Sequence, residues 1–475
     1  MTKLISQRTA FIGLVLLLLT KLALLLYFPM PNTDGPWAQS HTFSIINGHF
    51  FESSFAHSYM GFYNLPYMYG LLNAAFYYWF ANTNVLMYSI FLLNMLWISV
   101  SLLLAFKTLD EPGDNKLRFY LFAFSFVLST YSYSLRPEIF LLPLLFCLQL
   151  LLDRYLEGKK IVLAIAICLL TAIIGLVHPV GGFYAVFFIV MYGLEHKTSL
   201  LRIFLLLAGI GIAVAVLYGP VVLYDPALWQ LNFFKRGFEN DTRHIDLSYP
   251  LKFYFYSIPF AAVTLYNIWQ RAPKERLKEL IYLCACIALL MLFMRSYYLP
   301  YLFHFVAWRL SLKKASTLPR WFGLLYAGSF FAGLILCFGI PIYQLYDNKA
   351  YRDTFMDVLS YTKTVAMRYP DKKIWVPSVI SMNIIDQPCA RLFVPNIEQL
   401  SGSPQLCDSN SIYLVHTRTD ISAIAGFKRT APDSMTVLQV MKPVKGLMRT
   451  GSFGERTDSI GLWEIKFVNP TGNGR

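Results

Sequence analysis

The chain has 475 residues, of which 56% are hydrophobic and only 14% are charged, whereas about a quarter of the residues of an ordinary soluble protein are charged. With a mean hydropathy of +0.49, this composition excludes a soluble globular protein and predicts a polytopic membrane protein with a smaller soluble part. The formal net charge of +14 would indicate a nucleic-acid partner only if the basic residues clustered on a soluble domain. They are spread over short loops between apolar segments instead, so no nucleic-acid partner is expected.

Eleven apolar segments are predicted to cross the membrane as helices. In chain order they are residues 9–28, 86–106, 117–133, 139–152, 161–177, 181–193, 201–218, 251–268, 280–294, 299–312 and 321–340. Lys21 lies inside the first span, where it either extends toward the interface or faces the other helices. A polar and aromatic loop, 31–84, follows that span. Its aromatic part, 63–80, suits a helix in the membrane interface better than a further span.

The basic residues predict the orientation of these spans. With the N-terminus inside, the cytoplasmic segments carry 18 Lys and Arg residues and the outer segments carry six. Cytoplasmic loops of membrane proteins carry the excess of basic residues. We therefore expect a cytoplasmic N-terminus, with the 31–84 loop and the C-terminal region outside. The compact layout favours a bacterial inner membrane.

The last part of the chain, 345–475, changes character. An amphipathic helix is predicted over 351–368 and short strands over 373–377, 411–416, 435–441 and 460–467, separated by Asp-, Ser-, Gly- and Pro-rich turns. If this region is exported, a disulfide between Cys389 and Cys407 is plausible. The predicted fold class is an all-α membrane bundle of about eleven transmembrane helices in 1–344 with a small C-terminal α/β domain on the outer face.

Polar residues from separate segments gather at the predicted outer rim. Asp34 opens the first outer loop, Arg136 and Glu138 flank a proline between two spans, and His178 and Arg295 lie at two later span ends. A carboxylate at the bilayer edge is costly and indicates a functional site. The arginines oppose the charge asymmetry, and a phosphate is the partner that a guanidinium group binds best. Each residue also has a plain structural interpretation: an Arg136–Glu138 ion pair, a His178 helix cap, or an Arg295 interfacial anchor.

Four short motifs carry a resemblance to a known superfamily. They are NTDGPW around Asp34, HTFSIINGHF further along the same loop, SLRPEIFLLPLLF around Arg136, and RSYYLP from Arg295. The arrangement resembles the GT-C superfamily of polyprenyl-phosphate-sugar-dependent glycosyltransferases, closest to the protein O-mannosyltransferase and aminoarabinose-transferase branch. Many members place Asp-Glu at the start of the loop. Here Asp34 is followed by Gly35, which leaves the role of the second acid to Glu138 or to no residue.

The resemblance implies roles for the rim residues. Asp34 would be the catalytic base or would orient the acceptor, with Glu138 as the weaker catalytic candidate, and Arg136 and Arg295 would bind the donor phosphate. The groove for lipid and sugar would be lined by His178, Tyr298, Tyr59 and Tyr63. The donor would be a polyprenyl-phosphate-linked sugar and the acceptor a hydroxyl on a glycan, lipid or protein, with inversion in a single displacement. A divalent metal is compatible with the resemblance, although no ligand cluster of recognisable spacing supports one.

Two alternatives remain open on the sequence. A polytopic transporter would carry ionisable residues deep in its spans, and Lys21 is the one that fits. The paired broken helices typical of many transporters are missing from the pattern. An O-antigen ligase or polymerase would share the lipid-linked donor, and the outer segment 219–250 keeps that interpretation open.

Overall fold

The three-dimensional structure is a computed structural model. It describes residues 7–29, most of 67–80, 86–107, 138–224, 335–393, 410–416, 435–449 and 456–467, together with scattered residues in 39–48 and 265–284 and residues 226 and 331. The predicted spans at 117–133 and 299–312 lie outside the described residues, as do most residues of those at 251–268, 280–294 and 321–340. The count of eleven spans therefore stays a prediction.

The described membrane part is helical, as predicted. Its helices are α1 (Gln7–Tyr27), α2 (Tyr67–Tyr77), α3 (Leu86–Lys107), α4 (Glu138–Gly158), α5 (Ile161–Val177), α6 (Pro179–Glu195) and α7 (Leu200–Tyr224). Their sequences are dominated by Leu, Ile, Ala, Val and Phe, which bury no polar side-chain atoms and leave the backbone to satisfy itself within the helix. Two helical stretches, Met87–Leu104 and Leu200–Pro220, are long and apolar enough to cross a membrane, and three shorter apolar stretches accompany them.

Helices α4 to α7 follow one another through short turns and pack as neighbours, while α3 packs on both α1 and α4. Glycines allow the closest approach between α5 and α6. A Cβ on Gly182 would lie 2.7 Å from the Cα of Gly175, so the two backbones touch there. Lys21 is 1% exposed. Of the two predicted placements for this lysine, the structure has the one that faces the other helices.

The C-terminal part begins with a π-helical turn, Ile335–Gly339, that leads into α8 (Ile340–Asp347) and α9 (Lys349–Arg368). Helix α8 continues past residue 344, where the sequence predicts the domain boundary. The strands are β1 (Lys373–Pro377), β2 (Ala390–Phe393), β3 (Ser411–Val415), β4 (Met435–Arg449) and β5 (Arg456–Phe467), and a single 3-10 turn, Ser378–Ile380, follows β1. They form one sheet in the order β2-β1-β3-β5-β4. Strand β1 pairs in parallel with β2 and with β3, and strand β5 pairs antiparallel with β3 and with β4.

Helix α9 lies against β4 and β5 and buries its apolar face. The strand positions of the sheet core are fully buried, among them Ile374, Val376, Ile412 and Leu414, each 0% exposed. This confirms the predicted α/β domain. Cys389 is a buried free thiol whose Sγ lies 3.9 Å from the carbonyl oxygen of Ala366. The disulfide to Cys407 is therefore not formed in this structure, because the thiol points into the core beneath α9; Cys407 itself lies outside the described residues.

The C-terminal domain docks on the end of α1. The Nε of Arg352 donates to the backbone oxygen of Tyr27 at 3.0 Å, and its guanidinium lies 4.4 Å from the centroid of the Tyr27 ring. Phe28 packs against Tyr351 and Phe355, with ring centroids 6.4 and 5.4 Å apart. The end of α1 and the α/β domain consequently lie on the same side of the bundle, and the loop that contains Asp34 starts there.

Candidate active site at the loop-facing end of the bundle

The described part of the first loop packs on α2. Gln39 donates from Nε2 to the hydroxyl of Tyr69, and the rings of Phe43 and Tyr77 stack with centroids 5.4 Å apart. All four side chains are at most 2% exposed. The loop that follows α1 is thus fixed to α2 by one polar and one aromatic contact. The end of the bundle where these contacts lie is called the loop-facing end.

Helix α2 in turn contacts the start of α4. The Phe140 ring lies edge-on to Tyr69 at 4.9 Å and packs on Trp97 of α3 at 4.3 Å between centroids. Phe140 is two residues after Glu138, the first residue of α4. The predicted Arg-Pro-acidic turn therefore leads directly into an aromatic contact with α2 and α3.

His178 lies between α5 and α6 at this same end of the bundle. It is the single residue between the end of α5 at Val177 and the start of α6 at Pro179. Its backbone is extended, and its side chain forms no capping hydrogen bond. A Cβ on Gly181 would lie 2.4 Å from Cδ2 of Leu141, so the start of α6 touches the start of α4. The structure thereby brings His178 and Glu138 to neighbouring helix ends. The interpretation of His178 as a helix cap is confirmed for its backbone, whose N–H donates to the carbonyl oxygen of Ile174.

The other predicted site residues lie outside the described residues. These are Asp34, Arg136, Arg295, Tyr298, Tyr59 and Tyr63. In the chain, Asp34 is six residues after Phe28 and five before Gln39, and Arg136 is two before Glu138. Their described neighbours in sequence are thus the end of α1, the α2 contact and the start of α4.

Sequence reasoning missed several residues that build this end of the bundle. Gln39, Thr42, Asn73, Trp97 and Phe140 are buried there or carry buried polar atoms. For Asn73 alone the sequence held a signal: Tyr69, Asn73 and Tyr77 recur every four residues, which places them on one face of α2. Among the described residues, no group of three His, Cys, Asp or Glu side chains could hold a metal ion.

No protein-family model and no curated protein matches this sequence. Solved structures do. The chain aligns with ArnT from Cupriavidus metallidurans bound to undecaprenyl phosphate over 99% of its own length and 100% of that chain, with a TM-score of 0.59 and 11% identity. The apo state of the same protein aligns over 96% and 98%, with a TM-score of 0.54 and 12% identity.

A third structure, the arabinofuranosyltransferase AftD from Mycobacteria, aligns over 98% of this chain with a TM-score of 0.52 and 13% identity, and this chain spans 40% of it. ArnT and AftD are GT-C glycosyltransferases. The chain has the GT-C fold. The predicted resemblance is thereby confirmed for the architecture, which includes both the helical bundle and the α/β domain because the alignment with ArnT spans nearly the whole chain.

Proposed function

We propose that the chain is an integral membrane glycosyltransferase. It transfers a sugar from a polyprenyl-phosphate carrier to an acceptor hydroxyl on the extracytoplasmic face. The observation that carries the proposal is the likeness over 99% of this chain to a protein crystallised with undecaprenyl phosphate. The membrane is a bacterial inner membrane, with the N-terminus cytoplasmic and residues 345–475 outside.

The physical setting of such a reaction fits the described architecture. A polyprenyl carrier is too apolar to leave the bilayer, and a hydroxylated acceptor is too polar to enter it. The chemistry must occur where the two meet. Arg352 of the α/β domain holds the end of α1, and the loop with Asp34 starts at that junction of membrane part and soluble domain.

In the proposed mechanism Asp34 removes the proton from the acceptor hydroxyl. The acceptor oxygen attacks the anomeric carbon, the bond from that carbon to the phosphate oxygen breaks, and polyprenyl phosphate leaves with its electron pair. Attack from the opposite face inverts the anomeric centre. General-base catalysis of this kind contributes roughly 10²- to 10⁴-fold to the rate.

The phosphate that leaves gains negative charge in the transition state. Arg136 and Arg295 would bind it with bidentate hydrogen bonds. Electrostatic stabilisation of the charge that develops in the transition state is usually the largest contribution to catalysis. Glu138 and His178 would act on the sugar or orient the base, since both lie at adjoining helix ends. Tyr298, Tyr59 and Tyr63 would line the groove for the carrier. Every step of this mechanism is assigned to residues of the chain itself.

A second candidate is a transporter, and one observation favours it. Lys21 is 1% exposed inside α1, about 9 Å along the helix axis from Tyr27. A buried ionisable residue in a membrane helix is typical of a substrate path. The fold, however, supports the transferase, and a lysine at that depth also suits an anionic lipid headgroup.

The deciding experiment is incubation of the purified protein with a panel of polyprenyl-phosphate sugars. We expect release of polyprenyl phosphate, lost by orders of magnitude in Asp34→Asn while folding and carrier binding persist. Arg295→Ala is expected to raise the Michaelis constant for the lipid donor. Solute flux in proteoliposomes without lipid turnover would instead identify a transporter, and near-normal turnover of Asp34→Asn would remove Asp34 from the mechanism.

A further inference from the structure

Two lysines of the bundle adopt a backbone conformation that glycine normally takes. Lys159, in the turn between α4 and α5, has a φ of 51°, and Lys197, in the turn between α6 and α7, has a φ of 53°. In the part of the chain that the structure describes, no other residue with a side chain has a positive φ. This conformation costs energy for a residue with a Cβ. Its recurrence at two lysines indicates that these positions need the side chain.

The two turns occupy equivalent positions in the bundle. The Tyr192 hydroxyl of α6 donates to Oδ1 of Asp153 in α4, and these residues come five and six positions before the two lysines. The Sγ of Cys168 in α5 lies 3.5 Å from the carbonyl oxygen of Leu206 in α7, and each comes nine positions after its lysine. Because a helix rises about 1.5 Å per residue, the two lysines lie at nearly the same level, at the end opposite His178.

This end of the bundle carries an exposed basic cluster. Its members are Arg154, Lys159, Lys160, Lys197 and Arg202. Within the described residues, none of these five side chains forms an ion pair. The acids of the same turns are Asp153, Glu157 and Glu195, and the first of them already accepts the hydroxyl of Tyr192. The cluster therefore presents mainly positive charge to the solvent, and it suits an anionic ligand.

Exposed apolar side chains border these charges and identify the ligand class. Ile161 and Leu200, the first residues of α5 and α7, are 76% and 73% exposed, and Val162 and Leu201 beside them are 70% and 68% exposed. A free phosphate ion or a nucleic acid offers nothing apolar to this border. An anionic phospholipid offers a phosphate group for the lysines and acyl chains for the apolar residues, and basic residues next to membrane helices attract such lipids.

We propose that the two turns bind the phosphate group of an anionic phospholipid, with Lys159 and Lys197 as the ligands of the phosphate. An ammonium group donates up to three hydrogen bonds, so two lysines on adjacent hairpins hold a phosphate from two sides. The acyl chains lie along the starts of α5 and α7. The site does not depend on the transferase activity, since it requires only that these helices lie in a membrane. The predicted orientation places it in the cytoplasmic leaflet.

The test follows the Tm of the delipidated whole chain in detergent as phosphatidylglycerol or phosphatidylcholine with the same acyl chains is added. Wild type should be half-stabilised at a lower concentration of phosphatidylglycerol, because a ligand that binds the folded state raises Tm. Lys159→Gly and Lys197→Gly should each lower this preference about fivefold, the effect of one basic residue near an anionic lipid. Without lipid, their Tm should stay equal or rise, because glycine suits the turn. Arginine at both positions should keep the preference.

The matched control removes the same charge elsewhere. Lys349→Gln with Lys442→Gln changes two exposed lysines of the α/β domain and should leave the preference intact. An unchanged preference in the double variant Lys159→Gly with Lys197→Gly overturns the proposal. A fall in Tm of that variant without lipid, again with unchanged preference, would assign the lysines to the C-terminal ends of α4 and α6 instead.

Two further outcomes also contradict a lipid site. An equal loss of preference in the α/β domain control would assign the effect to the net charge of the protein. Equal stabilisation of the wild type by inorganic phosphate would show that the turns bind a free anion. Neither outcome bears on the proposed transferase, which is tested separately by the release of polyprenyl phosphate.

Discussion

The membrane bundle and the C-terminal domain treat buried polar groups differently. In the domain two pairs stand out: the Trp375 indole donates to the Ser411 hydroxyl at 3.2 Å, and the Tyr361 hydroxyl donates to Glu464 at 3.0 Å. At the loop-facing end of the bundle, Asn73 and Thr42 are unpaired within the described residues. Paired groups help to specify one packing of a core, whereas buried unpaired groups cost stability. The difference predicts opposite effects on stability when a polar group is removed from each region.

The largest effect on stability is expected in the bundle, where the backbones of α5 and α6 touch. Gly182→Ala would place a Cβ 2.7 Å from the Cα of Gly175. Backbone cannot yield as a side chain can, so α5 and α6 must separate, and overpacking of this kind costs about 1–3 kcal/mol. Thermal unfolding in detergent should show a clear fall in Tm.

Two controls sharpen this prediction. Gly175→Ala would meet only the Cα of Gly182 at 3.5 Å, and Gly211→Ala in α7 would meet nothing within 4 Å. Both should be near neutral or slightly stabilising, because alanine is the better helix former. Equal losses in all three variants would mean that the close contact between Gly182 and Gly175 is not what limits the stability of this hairpin.

In the domain the corresponding weak point is a paired polar group. Ser411→Ala removes the acceptor of the Trp375 indole and leaves that N–H buried, since Trp375 is 6% exposed. The expected cost is about 1–3 kcal/mol of unfolding free energy. Circular dichroism of the variant during heating measures it. Asn73→Leu, which removes an unpaired group, should show no such loss; a loss of similar size in both variants would break the distinction between the two regions.

Local sequence patterns predicted most of the helices and strands that the structure describes. The bounds of α5 and β1 match the prediction, and α9 begins only two residues before the predicted Tyr351. Strand β2 was missed because four residues after Pro388 and Cys389 offer no alternation to detect. Strand β4 was predicted to end at Met441 because Pro443 breaks an ordinary strand, but register shifts on both sides of it accommodate the proline in a long hairpin with β5.

The site could be predicted only in part. Polar residues at span ends indicate a site at the rim, and two of the predicted residues, Glu138 and His178, lie at adjoining helix ends; their roles stay predictions. In the sequence, Asn73 is only one polar residue in an aromatic helix. In the described structure its amide is buried without a hydrogen-bond partner, because α2, α3 and the first loop pack together around it. No spacing in the sequence encodes that meeting.

A smaller effect is expected where the two regions join. Arg352→Gln removes the hydrogen bond to the Tyr27 carbonyl and the contact with its ring, worth about 1 kcal/mol at a partly exposed position. If this junction positions the Asp34 loop, kcat should fall several-fold with an unchanged Michaelis constant for the donor. Arg276→Gln is the control: Arg276 lies over Trp269 at a similar 4.5 Å, on a segment predicted to be cytoplasmic. A similar fall in kcat for both would assign the effect to general stability.

The smallest effect concerns Cys389 and the sealing of the domain core. Burial raises the pKa of its thiol, by more than the charge of Arg391 lowers it. Since the thiolate is the reactive form, its fraction at neutral pH is below that of an ordinary cysteine, and burial also blocks reagents. Maleimide labelling of Cys389 in the folded protein, followed at this residue by mass spectrometry, should therefore be slow, should speed up as pH rises, and should reach the rate of an exposed Ser360→Cys thiol only after unfolding. Two results would mean that the sheet edge around β2 opens: fast labelling at neutral pH, or a disulfide to Cys407 found by mass spectrometry. Either result would weaken the contrast between a closed domain core and a bundle with unpaired buried polar groups.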